Sequence, residues 1–127
     1  MRINQMTQTI IGCAIEVHRH LGPGLLERAY EAALCRELDL QSVSYQRQKP
    51  LPLTYKGITL PTNYRLDLVV SDAVVVEVKA VETLLPIHDA QLLTYLKLGG
   101  YPVGLLLNFN VPILRDGIRR KVLGLEE

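Results

Sequence analysis

What this sequence has least of is net charge. Its 14 Lys and Arg offset 13 Asp and Glu and leave a formal +1, so the molecule as a whole exerts no strong pull on nucleic acid or an anionic membrane. A local basic patch stays open. Cysteine is scarce as well. Cys13 and Cys35 each fall inside a helical pattern with no Cys or His at metal-ligand spacing, which reads as two small buried thiols. His18, His20 and His88 lack the paired spacing of a zinc site. The start, MRINQMTQTI, lacks the apolar core of a secretory signal, and no apolar run nears the ~20 residues of a membrane span. The expectation is a soluble, cytoplasmic protein with no membrane partner. Proline and glycine are dispersed, with no low-complexity tract, internal repeat or linker. At 127 residues the chain is about one domain long and can bury roughly two thirds of its unfolded surface, so residues 1–127 are expected to form one domain.

What is present is strong periodicity. Ile3, Met6, Ile10, Ala14, Val17 and Leu21 recur at three or four, a helical stripe. Leu21 to Gly24, LGPG, then favours a turn. A second helix follows in LLERAYEAALCREL, with Leu26, Tyr30, Ala33, Leu34 and Leu38 on one face and Glu27 in the first turn. Strands dominate from about residue 42, and Lys56-Gly57 offers a tight turn between LPLTY and ITLP. NYRLDLVV and AVVVEVKA come next, joined by Ser71-Asp72. A third helix opens at Pro86, places Ala90, Leu93 and Leu96 at helical spacing, and ends at Gly99-Gly100. YPVGLLLNF reads as a buried strand and GIRRKVL as a short one. Helices, antiparallel strands, a helix and a further strand imply an α/β fold with a mixed sheet flanked by helices.

Charge sits where a plain hairpin needs none. In YRLDLVVSDAVVVEVKA, strand alternation puts Glu77 and Lys79 on one face, opposite Val76, Val78 and Ala80. On the preceding strand Arg65 and Asp67 share a face opposite Tyr64, Leu66, Leu68 and Val70. A two-residue loop would set Asp67 against Val76, whereas a three-residue loop or a bulge sets it against Glu77. Two close carboxylates repel unless a cation sits between them, and a hard divalent ion takes one or two carboxylates plus waters and phosphate oxygens. Lys79 would then lie near the water and the phosphate. The other reading of the same residues is a solvated face with a Glu77–Lys79 or Asp67–Lys79 ion pair. Gln91 and Tyr95, four apart, share a helical face. They also read as ordinary surface polar residues. Glu27 is favoured by the helix dipole in any case.

Asp67, nine residues, then Glu77-Val78-Lys79 resembles the D-x(n)-(D/E)-x-K core of the PD-(D/E)XK nuclease superfamily. GPGLLERAYEAAL, with Gly24, Glu27 and Tyr30, resembles the signature of the GxxExxY family, and YRLDLVV, VVVEVKAVE, HDAQLLTYLK and GLLLNFNVPILRDGIRR follow in that family's order. The resemblance spans nearly the whole chain. It implies a restriction-endonuclease-like fold with a mixed sheet flanked by helices, and a Mg²⁺ or Mn²⁺ site. By position Asp67 and Glu77 match the metal ligands, with the Val78 carbonyl as a candidate third. Lys79 matches the catalytic lysine. Glu27 matches the acidic residue that related nucleases bring from an early helix, and Gln91 with Tyr95 resembles the Q-x-x-x-Y motif lining the site in the RecB-like branch. Leu66 stands where the pattern has proline, a departure that many members tolerate.

Two functions follow. The first is a Mg²⁺-dependent nuclease acting on nucleic acid, DNA in the first instance, with Arg65 near the site and Arg115, Arg119, Arg120 and Lys121 available to grip the backbone. The basic cluster also reads as a solvated face. The second is a non-catalytic nucleic-acid-binding or partner-binding module on a nuclease fold. So small a chain has little surface for reading sequence, which points to a homodimer or a larger complex. A small-molecule phosphohydrolase or a purely structural protein stands third, with nothing selecting it.

Overall fold

The computed structural model describes residues 2–124. Helix α1 (Ile3–Leu21) and helix α2 (Glu27–Leu40) come first. Strand β1 (Tyr45–Pro50) precedes a small hairpin of β2 (Thr54–Tyr55) and β3 (Ile58–Thr59). Then follow β4 (Arg65–Val70), β5 (Val74–Lys79), α3 (Pro86–Gly99), β6 (Val103–Asn108), a 3₁₀ turn (Leu114–Gly117) and β7 (Ile118–Val122). Five strands form one mixed sheet in the order β1-β4-β5-β6-β7. β5 and β6 run parallel, connected by α3, and the other neighbours are antiparallel. None of the described helices is long and apolar enough to cross a membrane.

Two apolar layers hold the helices to the sheet. Met6, Ile10, Ala14 and Val17 of α1 and Tyr30, Leu34 and Leu38 of α2 pack on Leu68, Val70, Val76 and Leu105. On the opposite face Leu92, Tyr95 and Leu96 of α3 pack on Leu66, Val69, Val75 and Leu106. Tyr30 anchors the turn between the first two helices. Its hydroxyl donates to the Gly22 carbonyl at 2.6 Å and accepts the Leu25 amide at 3.1 Å, while its ring stacks on Phe109 at 4.6 Å between centroids. Cys13 and Cys35 are buried thiols.

The helical stripes differ from expectation at their ends and in α3. Leu21 closes α1 and Leu26 precedes α2, and both are exposed, Leu26 at 80%, because helix ends overrun the sheet they cover. In α3 the buried side chains are Leu92, Tyr95 and Leu96 in place of Ala90, Leu93 and Leu96. The helix is apolar on two stripes, and Gly104 decides which one turns inward. A Cβ there would lie 2.8 Å from the Leu92 side chain, so the glycine makes the room into which Leu92 packs.

Candidate active site

The loop between β4 and β5 holds three residues, Ser71, Asp72 and Ala73, since Val70 pairs with Val74, Val69 with Val75 and Leu68 with Val76. Continuing that register sets Asp67 against Glu77. There the side chains take over from the backbone ladder. The Asp67 amide donates to Glu77 Oε2 at 2.9 Å, and the Val78 amide donates to Asp67 Oδ2 at 2.8 Å.

Strand alternation breaks at the same point. Leu66 packs with α3 while Leu68 packs with α1 and α2, so the expected common face of Leu66, Leu68 and Val70 is corrected. The partner strand breaks with it. Gln48 has φ +53° and drops out of the β1–β4 pairing opposite Asp67, a conformation a non-glycine residue holds only when its surroundings impose it. Side-chain bonds supply the imposition. The Gln48 amide donates to Glu31 Oε1 at 2.7 Å and to Asp67 Oδ1 at 3.3 Å, and the Gln48 carbonyl accepts Arg65 at 3.0 Å.

Both carboxyls are hard to ionise. Glu77 is 5% exposed, and burial, then the charge of Asp67, pushes its carboxyl up to about 8. Burial also raises Asp67, against the pull of the Val78 amide. The positive charge of Lys79 favours both ionised forms without cancelling the rise. Among the described residues no ion pair within 4.0 Å joins Lys79 to either carboxylate, so the ion-pair reading lacks its contact. Two adjoining carboxylates are thus left short of positive charge.

The helix carboxylate felt at this site is Glu31, a residue not singled out from the sequence. Its charge registers at both Asp67 and Glu77. It is 6% exposed, and Arg47 Nε holds it at 2.6 Å. Glu27, one turn earlier and exposed, lines the same charged hollow of about 440 Å³ with Arg28, Glu31, Arg47, Gln48 and Asp67. A usable signal existed, for Glu31 falls three and seven residues before Leu34 and Leu38, on the buried stripe.

From α3, Tyr95 comes close enough that burial, and then the Glu77 charge, raises its hydroxyl. Gln91 is exposed and shares with Tyr95 an apolar hollow of about 260 Å³. Lys79 itself is pinned through its backbone, its carbonyl accepting the Phe109 amide at 3.0 Å. Beside it the Asn108 side chain, also missed in the sequence, accepts the Val81 amide at 3.0 Å and donates to the Val81 carbonyl at 2.9 Å.

The basic cluster near the C-terminus is divided. Arg119 and Lys121 face α3 and pair with Asp89 at 2.5 Å and 3.1 Å. Burial works to raise Asp89, yet its bond to Lys121 and the two cations carry it below the usual carboxylate range. Arg120 faces the other way and bonds Asn4 at 2.7 Å. A single substrate-gripping surface made of all four is therefore corrected, since alternate residues of β7 face opposite sides of the sheet.

No group of three His, Cys, Asp or Glu side chains among the described residues is placed to hold a metal ion by itself. Asp67 and Glu77 nevertheless fit a hard divalent ion that keeps several waters and takes one or two carboxylates, because their close oxygens lack compensating charge. A protein-family model described as the PD-(D/E)XK nuclease superfamily matches residues 4–121. Neither the curated proteins nor the solved structures gave a match.

Proposed function

The chain belongs to the PD-(D/E)XK nuclease superfamily, and from that premise we propose that it is a metal-dependent nuclease of the GxxExxY type, hydrolysing phosphodiester bonds of nucleic acid, DNA first. The observation that carries this reading is the mutual bonding of Asp67 and Glu77 across the β4–β5 fork, with both carboxyls raised. In this reading residues 1–127 act as one domain, alone or as a dimer.

A bound Mg²⁺ or Mn²⁺ would polarise the scissile phosphate and lower the pKa of a water. Asp67 and Glu77 would hold it, with the Val78 carbonyl as a third ligand. The helix carboxylates Glu31 and Glu27, which share a hollow with Asp67, would add negative charge on the α2 side. Lys79, two residues beyond Glu77 on the same strand, orients the attacking water and offsets negative charge growing on the phosphate. Tyr95 and Gln91 line the α3 side. Arg47 holds and aims Glu31, and Gln48 holds Glu31 and Asp67 together.

The test is cleavage of single-stranded DNA, duplex DNA and RNA in Mg²⁺ or Mn²⁺, beside Lys79→Ala and Glu77→Gln. Cleavage by the wild type that both variants lose supports the nuclease. Metal binding without cleavage of any of the three would move the reading to a non-catalytic nucleic-acid-binding module.

A further inference from the structure

Two hollows of opposite character lie against α2 and α3. On the α2 side the hollow of about 440 Å³ is lined by Glu27, Arg28, Glu31, Arg47, Gln48 and Asp67, all charged or polar. On the α3 side the hollow of about 260 Å³ is lined mostly by apolar and aromatic groups, with Tyr64 and Tyr95 on its inner side and Ile87 and Leu98 along the helix. Tyr64 leads directly into β4, three residues before Asp67, and Tyr95 packs in one cluster with Leu66, the residue before Asp67.

We propose that the hollow between Tyr64 and α3 receives one unstacked nucleobase next to the scissile phosphate, so that the substrate is an unpaired strand. The inference rests on the nuclease reading above and names its substrate class. Size supports it, because about 260 Å³ falls below the ~300–1,000 Å³ of sites for drug-sized ligands, which suits a single ring system. Aromatic geometry supports it too. The two tyrosine rings are tilted by 59° with centroids 6.3 Å apart, so neither covers the other's face, and Tyr64 is 46% exposed. Its open face can take a base, since stacking on an aromatic ring is indifferent to base identity.

Polar groups are few and sit at the rim. The Gln91 amide and the Thr94 hydroxyl are both exposed on α3 beside the hollow, placed to meet the edge of a base whose face is stacked. A duplex meets this site at a disadvantage. Its bases are stacked inside the helix, and reaching the hollow requires a nucleotide to leave the stack at a cost of a few kcal/mol. The other hollow offers no such surface, because it is lined by charged and polar side chains, and burying a base against them would strip those groups of water.

The test uses the full chain and an oligonucleotide carrying 2-aminopurine, free or annealed to its complement. Wild-type protein should quench the fluorophore in the single strand and cleave that strand at least tenfold faster than the duplex. In Tyr64→Ala the quench should vanish, and KM for the single strand should rise about tenfold, ~1.4 kcal/mol, with a smaller change in kcat. Tyr64→Phe should restore both. Tyr55→Ala, on the β2–β3 hairpin outside the hollow, should match wild type. Quench and KM unchanged in Tyr64→Ala would overturn the proposal, as would equal cleavage of strand and duplex. If the wild type cleaves nothing, the nuclease reading fails alone. The quench still decides the hollow: its loss in Tyr64→Ala supports a base site, and its absence in the wild type overturns it.

Discussion

Asp67 and Glu77 hold each other's strand: the Glu77 carboxylate accepts the Asp67 amide, and the Asp67 carboxylate accepts the amide that follows Glu77. The two acids therefore do a structural job in the absence of metal while repelling one another. Glu77→Gln keeps an oxygen for the Asp67 amide and removes the repulsion. Melting of the metal-free variant is expected at or slightly above the wild-type temperature, with the upward shift given by Mg²⁺ to the wild type gone. A variant that melts far lower, beside a wild type indifferent to Mg²⁺, would sink the metal-site reading.

The raised carboxyls set a pH dependence of definite sign. Glu77 is carried from an ordinary 4.5 up to about 8, and Asp67 moves in the same direction. The folded metal-free protein keeps a proton that the unfolded chain releases. Stability is therefore full below pH 4.5 and drains as pH climbs towards 8. Melts in chelator should give a higher Tm at pH 5 than at pH 8.5, with the slope flattened in Glu77→Gln. Mg²⁺ loading displaces that proton, so the Tm gain from the ion should grow across the same interval. A metal-free Tm that rises with pH would contradict both assignments.

Arg47→Met tests the clamp on Glu31. The variant leaves a carboxylate that is 6% exposed with, among the described residues, only the Gln48 amide as a bonded partner. A loss on the order of 2 kcal/mol is expected, the scale of a hydrogen bond to a charged group. Pairing Arg47→Met with Glu31→Leu should recover part of it, since two apolar side chains leave no buried charge. Urea denaturation of the two single variants and the double variant measures the coupling, and an additive outcome would mean that the two residues do not interact.

Asn108→Ala should cost about 1–3 kcal/mol, because the Val81 amide and carbonyl lose their shared partner at a buried position. The loss has a local signature as well. Hydrogen exchange at Val81 should accelerate more than at Val75 in the middle of β5, and unchanged protection at Val81 would count against the role.

Most of the architecture could be read from spacing alone. The stripe Met6, Ile10, Ala14 and Val17, the Pro86 start of α3, the Lys56-Gly57 turn and the uninterrupted apolar run of β6 each follow one period or one local rule. A three-residue loop was one of two options at Ser71, and the register of Val70 with Val74 selects it. What stayed hidden depends on contacts between distant segments. Alternation assumes an unbroken pleat, so it could not foresee Leu66 and Leu68 in different layers. Glu31 resembles any solvated helix acid until the Arg47 and Gln48 bonds are seen. Asn108 ends an apolar run, and only the fold brings Val81 beside it. Arg119 and Lys121 looked free to bind phosphate because Asp89 is thirty residues earlier in the chain.

The break at Gln48 has a consequence at the outer margin of the sheet. β1 and β7 are its two edge strands, and an edge is where a foreign strand can dock and start an aggregate. In β1 the left-handed Gln48 and then Pro50 interrupt the row of donors and acceptors that such a strand would need. In β7 Arg119 and Lys121 are held by Asp89 of α3, which ties that strand to the helix beside it. Recruitment of a second molecule by lengthening the sheet is opposed at the β1 margin, by the same kink that gathers Glu31 and Asp67.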